Sequence, residues 1–169
     1  LDDADLEAAV RATVNSCFLN SGQTCLALTR LIVPEARYAE AAKIATEVAA
    51  RFTVGDPMGD TAKLGPLVST AQRDRVVSMI RQGIAQGAEL LCGGPDRPAE
   101  LDRGCYVQPT IFGRVAPDSV IAQEEIFGPV LIVLRANNID DAIALVNSNP
   151  YGNGTAIFTR SGAHARRFE

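Results

Sequence analysis

Val130-Leu131-Ile132-Val133-Leu134 is the stretch that decides the fold. Five consecutive apolar residues, three of them β-branched, predict a strand buried on both faces, because a strand with one wet face would alternate with polar residues. On its C-terminal side, Ile139 to Asn147 predicts a helix, Tyr151-Gly152-Asn153-Gly154 a turn and Thr155 to Thr159 another strand. On its N-terminal side, Tyr106 to Val115 has strand propensity broken by Pro109, and Glu89-Leu90-Leu91-Cys92 before Gly93-Gly94 reads as a short strand.

Further upstream, Ser69 or Thr70 caps a helix carrying Val76, Val77, Met79, Ile80 and Ile84, which Gly87 ends. Residues 53–68 are turn-rich and read as a surface loop. Leu28 to Pro34 reads as a strand and Glu35 to Phe52 as an Ala-rich helix. The first helix, capped by Asp2 or Asp3, carries Leu6, Ala9, Val10, Val14, Cys17 and Phe18 at helical spacing until Gly22 stops it. Strands alternating with helices predict the α/β class, with right-handed crossovers and a mostly parallel sheet covered by helices on both faces.

A length of 169 residues with 47% apolar and 21% charged content supports one ordinary hydrophobic core, read as a single domain over 1–169. The net charge of −4 argues against nucleic acid and anionic membrane surfaces, which recruit clustered Lys and Arg. No apolar run approaches the roughly 20 residues that span a bilayer. Four cysteines with no Cys-x-x-Cys, and one histidine, leave too few ligands for a zinc site, so no metal is expected. The thiols read as reduced, in a cytoplasmic protein. Both ends look cut: Leu1 stands directly at a helix start and Glu169 inside a helix.

Asn20-Ser21-Gly22-Gln23-Thr24-Cys25-Leu26-Ala27 places a thiol just after a helix stop. Backbone N–H groups beyond such a turn favour a thiolate and bind a developing oxyanion, so Cys25 is a candidate nucleophile. A buried core cysteine is the other reading. Cys17 on the apolar helix face and Cys92 at a strand end read as packing residues, and His164 as a surface residue. Gln123-Glu124-Glu125-Ile126-Phe127-Gly128-Pro129-Val130 puts two carboxylates, an aromatic ring and a Gly-Pro turn ahead of the buried strand. Ligands of α/β proteins gather at such places, so this is a candidate cofactor contact, with a charged turn around a core Phe as the alternative.

Together these two segments resemble the aldehyde dehydrogenase superfamily, whose signature includes a Gly-Gln-x-Cys nucleophile and a later Glu-Glu-Ile-Phe-Gly-Pro-Val segment. The likeness continues through Val54-Gly55-Asp56-Pro57, Gly65-Pro66-Leu67-Val68, Gly87-Ala88 with Gly93-Gly94, Pro109-Thr110-Ile111-Phe112 and Asn149-Pro150-Tyr151-Gly152. The resemblance implies NAD- or NADP-dependent oxidation of an aldehyde to an acid through a Cys25 thiohemiacetal and thioester. It implies that Glu125 holds the nicotinamide ribose, with Phe127 beside it and Gln72 as a further ribose contact. It implies that Leu19, Thr24 and Leu26 line a pocket for an uncharged aldehyde end, and that the parent protein is a homodimer or homotetramer.

The family's general base, a glutamate in a Glu-Leu-Gly-Gly segment, and its N-terminal dinucleotide-binding domain fall outside this sequence, as does the C-terminal end of the catalytic domain. The chain therefore reads as most of that domain, with little activity alone. Three alternatives stand beside this reading: an acylating, coenzyme A-dependent semialdehyde dehydrogenase, a cysteine hydrolase, and a non-catalytic structural relative. Asn149-Pro150-Tyr151-Gly152-Asn153-Gly154-Thr155-Ala156 looks like the acylating branch, whereas Thr24, where that branch tends to carry Arg, does not.

Overall fold

A computed structural model describes residues 1–169. A four-stranded sheet forms the centre, in the order β1-β4-β3-β2, from β1 (Arg30–Pro34), β2 (Glu89–Cys92), β3 (Thr110–Gly113) and β4 (Val130–Ala136). β4 pairs in parallel with β1 (Arg30 opposite Ile132) and with β3 (Thr110 opposite Val130), and only β2 runs antiparallel, against β3. The sheet is mostly parallel, as expected.

The non-alternating run in β4 is explained by what covers it. Leu131 and Val133 enter one core with α1 (Leu6–Phe18) and α2 (Tyr38–Ala49). Val130, Ile132 and Leu134 enter a second core on the other face, with α3 (Thr70–Ala85) and α4 (Val120–Gln123). Side chains alternate across a strand, so a strand between two helical layers has no polar face to show. Ile111 and Phe112 in β3 divide between the same two cores and are fully buried.

Helix boundaries follow local chemistry. Asp5, not Asp2 or Asp3, caps α1, its carboxylate accepting from the Ala8 N–H at 3.1 Å. Asp3 is engaged elsewhere: it accepts from the Thr159 hydroxyl and the Arg160 N–H, both at 2.7 Å. Ser69 caps α3 and Asn138 caps α5 (Ile139–Asn147), whose first turn carries Asp140 and Asp141, favourable against the helix dipole. The expected helix from Glu35 opens as a 3₁₀ turn, Glu35–Arg37, and turns α-helical only at Tyr38. α6 spans Gly162–Phe168.

One expected strand does not form. Thr155–Thr159 is outside every ladder, and its main-chain bond is to Leu1, whose backbone nitrogen donates to the Phe158 carbonyl at 3.0 Å. β-Propensity is realised only where the segment packs against another strand. Here Thr155–Phe158 and the edge strand β1 both border an open cleft rather than each other. No helix is long and apolar enough to cross a membrane.

Candidate active site

Between α1 and β1 the chain makes an unusual turn. Leu19–Gly22 forms a 3₁₀ turn in which Asn20, Ser21 and Gly22 all take left-handed backbone, with φ of 51°, 55° and 74°. Gly22 has no alternative, since a Cβ there would lie 2.1 Å from the carbonyl carbon and oxygen of Gly128. Asn20 supports its own strained backbone by donating from Nδ2 to the Gln23 carbonyl at 3.1 Å, while Gln23 N–H returns to the Asn20 carbonyl at 3.1 Å.

Two side chains of this turn anchor it to the loop ahead of α3. Ser21 donates its hydroxyl to the Gly65 carbonyl, and Gln23 Oε1 accepts from the Val68 N–H, each at 2.9 Å. Thr24 Oγ1 reaches back to the Leu19 carbonyl at 3.2 Å. Cys25 and Leu26 then occupy the centre of a tight turn closed by Ala27 N–H donating to Thr24 O at 3.1 Å. The Cys25 side chain is exposed, and its backbone N–H donates to no group of the protein. The Cys25 carbonyl accepts from the Asn153 side-chain amide.

The other cysteines are placed differently. Cys17 is wholly buried in α1, donates to the Val130 carbonyl at 3.4 Å and has its thiol pushed up by burial. Burial also pushes up the Cys92 thiol. Cys105 touches the Thr70 hydroxyl at 3.5 Å. Only Cys25 is exposed among the four.

Facing this turn is the segment before β4. Ile126 is buried, Phe127 half-buried and Glu125 exposed. Phe127 has φ of 56°, a left-handed conformation rare for an aromatic residue. Gln72 Nε2 donates to the Phe127 carbonyl at 2.8 Å and the Ile126 carbonyl at 3.2 Å. Arg75 donates to the Ile126 carbonyl at 2.9 Å and the Glu125 carbonyl at 2.5 Å. Asn149 Nδ2 donates to the Ala122 and Gln123 carbonyls, each at 3.2 Å, and its Oδ1 accepts from Tyr151 N–H, which brings the Asn149–Gly154 turn alongside.

These turns border one cleft of about 670 Å³. Thr24, Cys25, Leu26, Glu125 and Phe127 all line it, as does Asn153. Leu19 and Gln72 do not: Leu19 stands 61% exposed, and Gln72 is occupied behind the turn it supports. Arg30 also lines the cleft, its guanidinium lowered in pKa by burial and donating to the Ala122 carbonyl at 3.4 Å. The roles of Ser21, Gln23, Arg75 and Asn153 have no signal in residue type or spacing, because each works by bonding to a main-chain group distant in sequence.

Chemically, the cleft combines an exposed thiol, a free backbone donor beside it, an unpartnered carboxylate and an aromatic face. The donor set suits a ligand with vicinal hydroxyls and a flat ring, since a carboxylate can accept from two hydroxyls at once.

The model for the aldehyde dehydrogenase family matches residues 1–169. The chain is 43% identical over 166 residues to a 3-succinoylsemialdehyde-pyridine dehydrogenase from a Pseudomonas species, covering 98% of this chain and 35% of that protein. Among solved structures, it is similar to aldehyde dehydrogenase C of Pseudomonas syringae, a cysteine-to-alanine variant with NAD+ and octanal, at 42% identity and a TM-score of 0.96. That likeness covers 99% of this chain and 35% of the other. It is likewise similar to the Mycobacterium tuberculosis aldehyde dehydrogenase complexed with NAD+, at 40% identity and a TM-score of 0.94, again over 99% and 35% of the two chains. The chain thus spans about a third of the length of the proteins it matches, and across all 169 residues it belongs to the aldehyde dehydrogenase family.

Proposed function

We propose that this chain contributes the nucleophile and the nicotinamide-ribose contact of an aldehyde oxidation, and forms most of a catalytic domain. The observation that carries this reading is the shared cleft. Cys25, exposed at the head of a tight turn, lies with Glu125 and Phe127 around one cavity, and the two turns touch through Gly22 and Gly128. The relatives bound to NAD+, and to NAD+ with octanal, support it.

In this reading the Cys25 sulfur adds to the aldehyde carbon and the carbonyl oxygen becomes an alkoxide. The free N–H of Cys25 points a donor at that charge, a contribution of ~3 kcal/mol where such a donor is preorganised. Glu125 would accept the ribose hydroxyls of NAD or NADP and Phe127 would pack beside its ring, and the cofactor would supply the hydride acceptor when bound. Loss of hydride from the Cys25-bound carbon leaves a thioester, which water cleaves to the acid and free thiol. Leu26 and Thr24 offer that carbon a partly apolar, uncharged surround, fitting an aldehyde without a charged end.

Replacing Cys25 by Ala in the full-length protein should abolish turnover and leave NAD binding within about two-fold. Retained turnover removes Cys25 from the role. Iodoacetamide labelling of Cys25 with and without NAD separates this reading from a cysteine hydrolase, in which the cofactor would give no protection. The 169-residue chain alone is expected to produce no steady NADH, because the glutamate base that the resemblance implies falls outside this sequence.

A further inference from the structure

Glu125 makes one hydrogen bond in the whole protein. Its carboxylate and N–H have no protein partner, and its carbonyl accepts from Arg75 Nη2 at 2.5 Å. The same guanidinium spans to the Ile126 carbonyl through Nη1 at 2.9 Å. One turn earlier on α3, Gln72 takes the Phe127 carbonyl. Residues i and i+3 of one helix thus hold three successive carbonyls. The turn requires such holding: Phe127 is left-handed, and Glu125 is exposed on the far side of the buried Ile126.

We propose that Arg75 is a positioning residue for cofactor binding: by bridging the Glu125 and Ile126 carbonyls it fixes where the Glu125 carboxylate and the Phe127 ring stand relative to Cys25. The proposal rests on the reading of Glu125 given above. Arginine suits the task because its planar fork offers two N–H groups at fixed separation, matching two neighbouring carbonyls. A lysine ammonium is a single point donor on a flexible stem. On the nucleophile side, Gln23 bonds the Val68 N–H in the loop that leads into the same helix.

The test compares Arg75→Met, Arg75→Gln and Arg75→Lys with the parent in the full-length protein. NADH fluorescence titration gives cofactor affinity without turnover, and iodoacetamide alkylation of cofactor-free Cys25 reports the nucleophile turn. Arg75→Met and Arg75→Gln are expected to weaken NADH roughly ten-fold, with alkylation rate and melting temperature near the parent's. Arg75→Lys should recover part of the affinity. Unchanged NADH affinity in the folded Met or Gln variant overturns the proposal. So does a parallel fall in alkylation rate and melting temperature, which would make Arg75 a general structural residue. Glu125→Gln tests the underlying reading: normal NADH affinity there removes both, whereas weakened affinity beside a normal Arg75→Met removes the Arg75 role alone.

Discussion

Gly22 and Gly128 meet backbone against backbone, close enough that a single methyl group on Gly22 would sit 2.1 Å from the Gly128 carbonyl. The turn that presents Cys25 and the turn that follows Glu125 and Phe127 are therefore one packed unit, with no side chain between them. Spacing in the sequence does not reveal this, since the two glycines are separated by more than a hundred residues.

Gly22→Ala should be strongly destabilising. The new Cβ meets backbone atoms that cannot rotate away, at a φ of 74° that already disfavours an L side chain. A loss of about 3 kcal/mol or more is expected, read as a lowered urea midpoint. A midpoint within error of the parent's would mean the two turns can separate freely.

Cysteine labelling should be sharply selective. Cys25 is exposed, whereas Cys17 is fully buried with its thiol pushed upward. At pH 8 iodoacetamide should modify Cys25 more than ~100-fold faster than Cys17, because the thiolate is the reacting form and must be accessible. Peptide mass spectrometry over a time course reads both rates. Comparable rates would contradict the described burial.

Gln23→Ala removes the acceptor for the Val68 N–H. The expected cost is about 1 kcal/mol of stability, with a measurable change in the alkylation rate of Cys25 two residues away. A neutral effect on both would show that Ser21 and Gly65 alone hold the turn to its neighbouring loop.

The extended segment before α6 should come loose in acid. The Thr159 hydroxyl, helped by the Arg160 N–H, holds the Asp3 carboxyl below the usual carboxylate range. A carboxyl whose folded pKa is depressed contributes stability above its unfolded value, about 4, and loses it as pH falls through the folded value. Amide exchange at Arg160 should therefore accelerate as pH drops below that range, after correction for intrinsic rates, and Asp3→Asn should flatten the dependence. Identical profiles in the two proteins would rule this contact out as the cause.

Much of the fold was readable because burial leaves a pattern. The unbroken apolar run of β4 marks a strand between two layers, and Ser69 and Gly87 bracket α3 by capping chemistry. Thr155–Thr159 has strand composition but pairs with no strand, and pairing depends on distant chain that composition does not encode. In the candidate site, Cys25, Glu125 and Phe127 have chemically distinctive side chains and lie in recognisable runs. Arg75 and Asn153 act on main-chain carbonyls 50 and 128 residues away, which any donor could reach in principle. Only the folded geometry selects them.

Gly128 is itself hemmed in on its other side, where a Cβ would come 2.7 Å from a methyl of Val76 on α3. Gly128 thus packs closely against both Gly22 and Val76. Anyone shuffling segments between relatives would find that residues 20–25, 65–76 and 125–129 behave as a single exchangeable cassette. A crossover that replaced one of the three from a parent with different bulk at these positions would give a misfitted hybrid, however similar the remaining sequence.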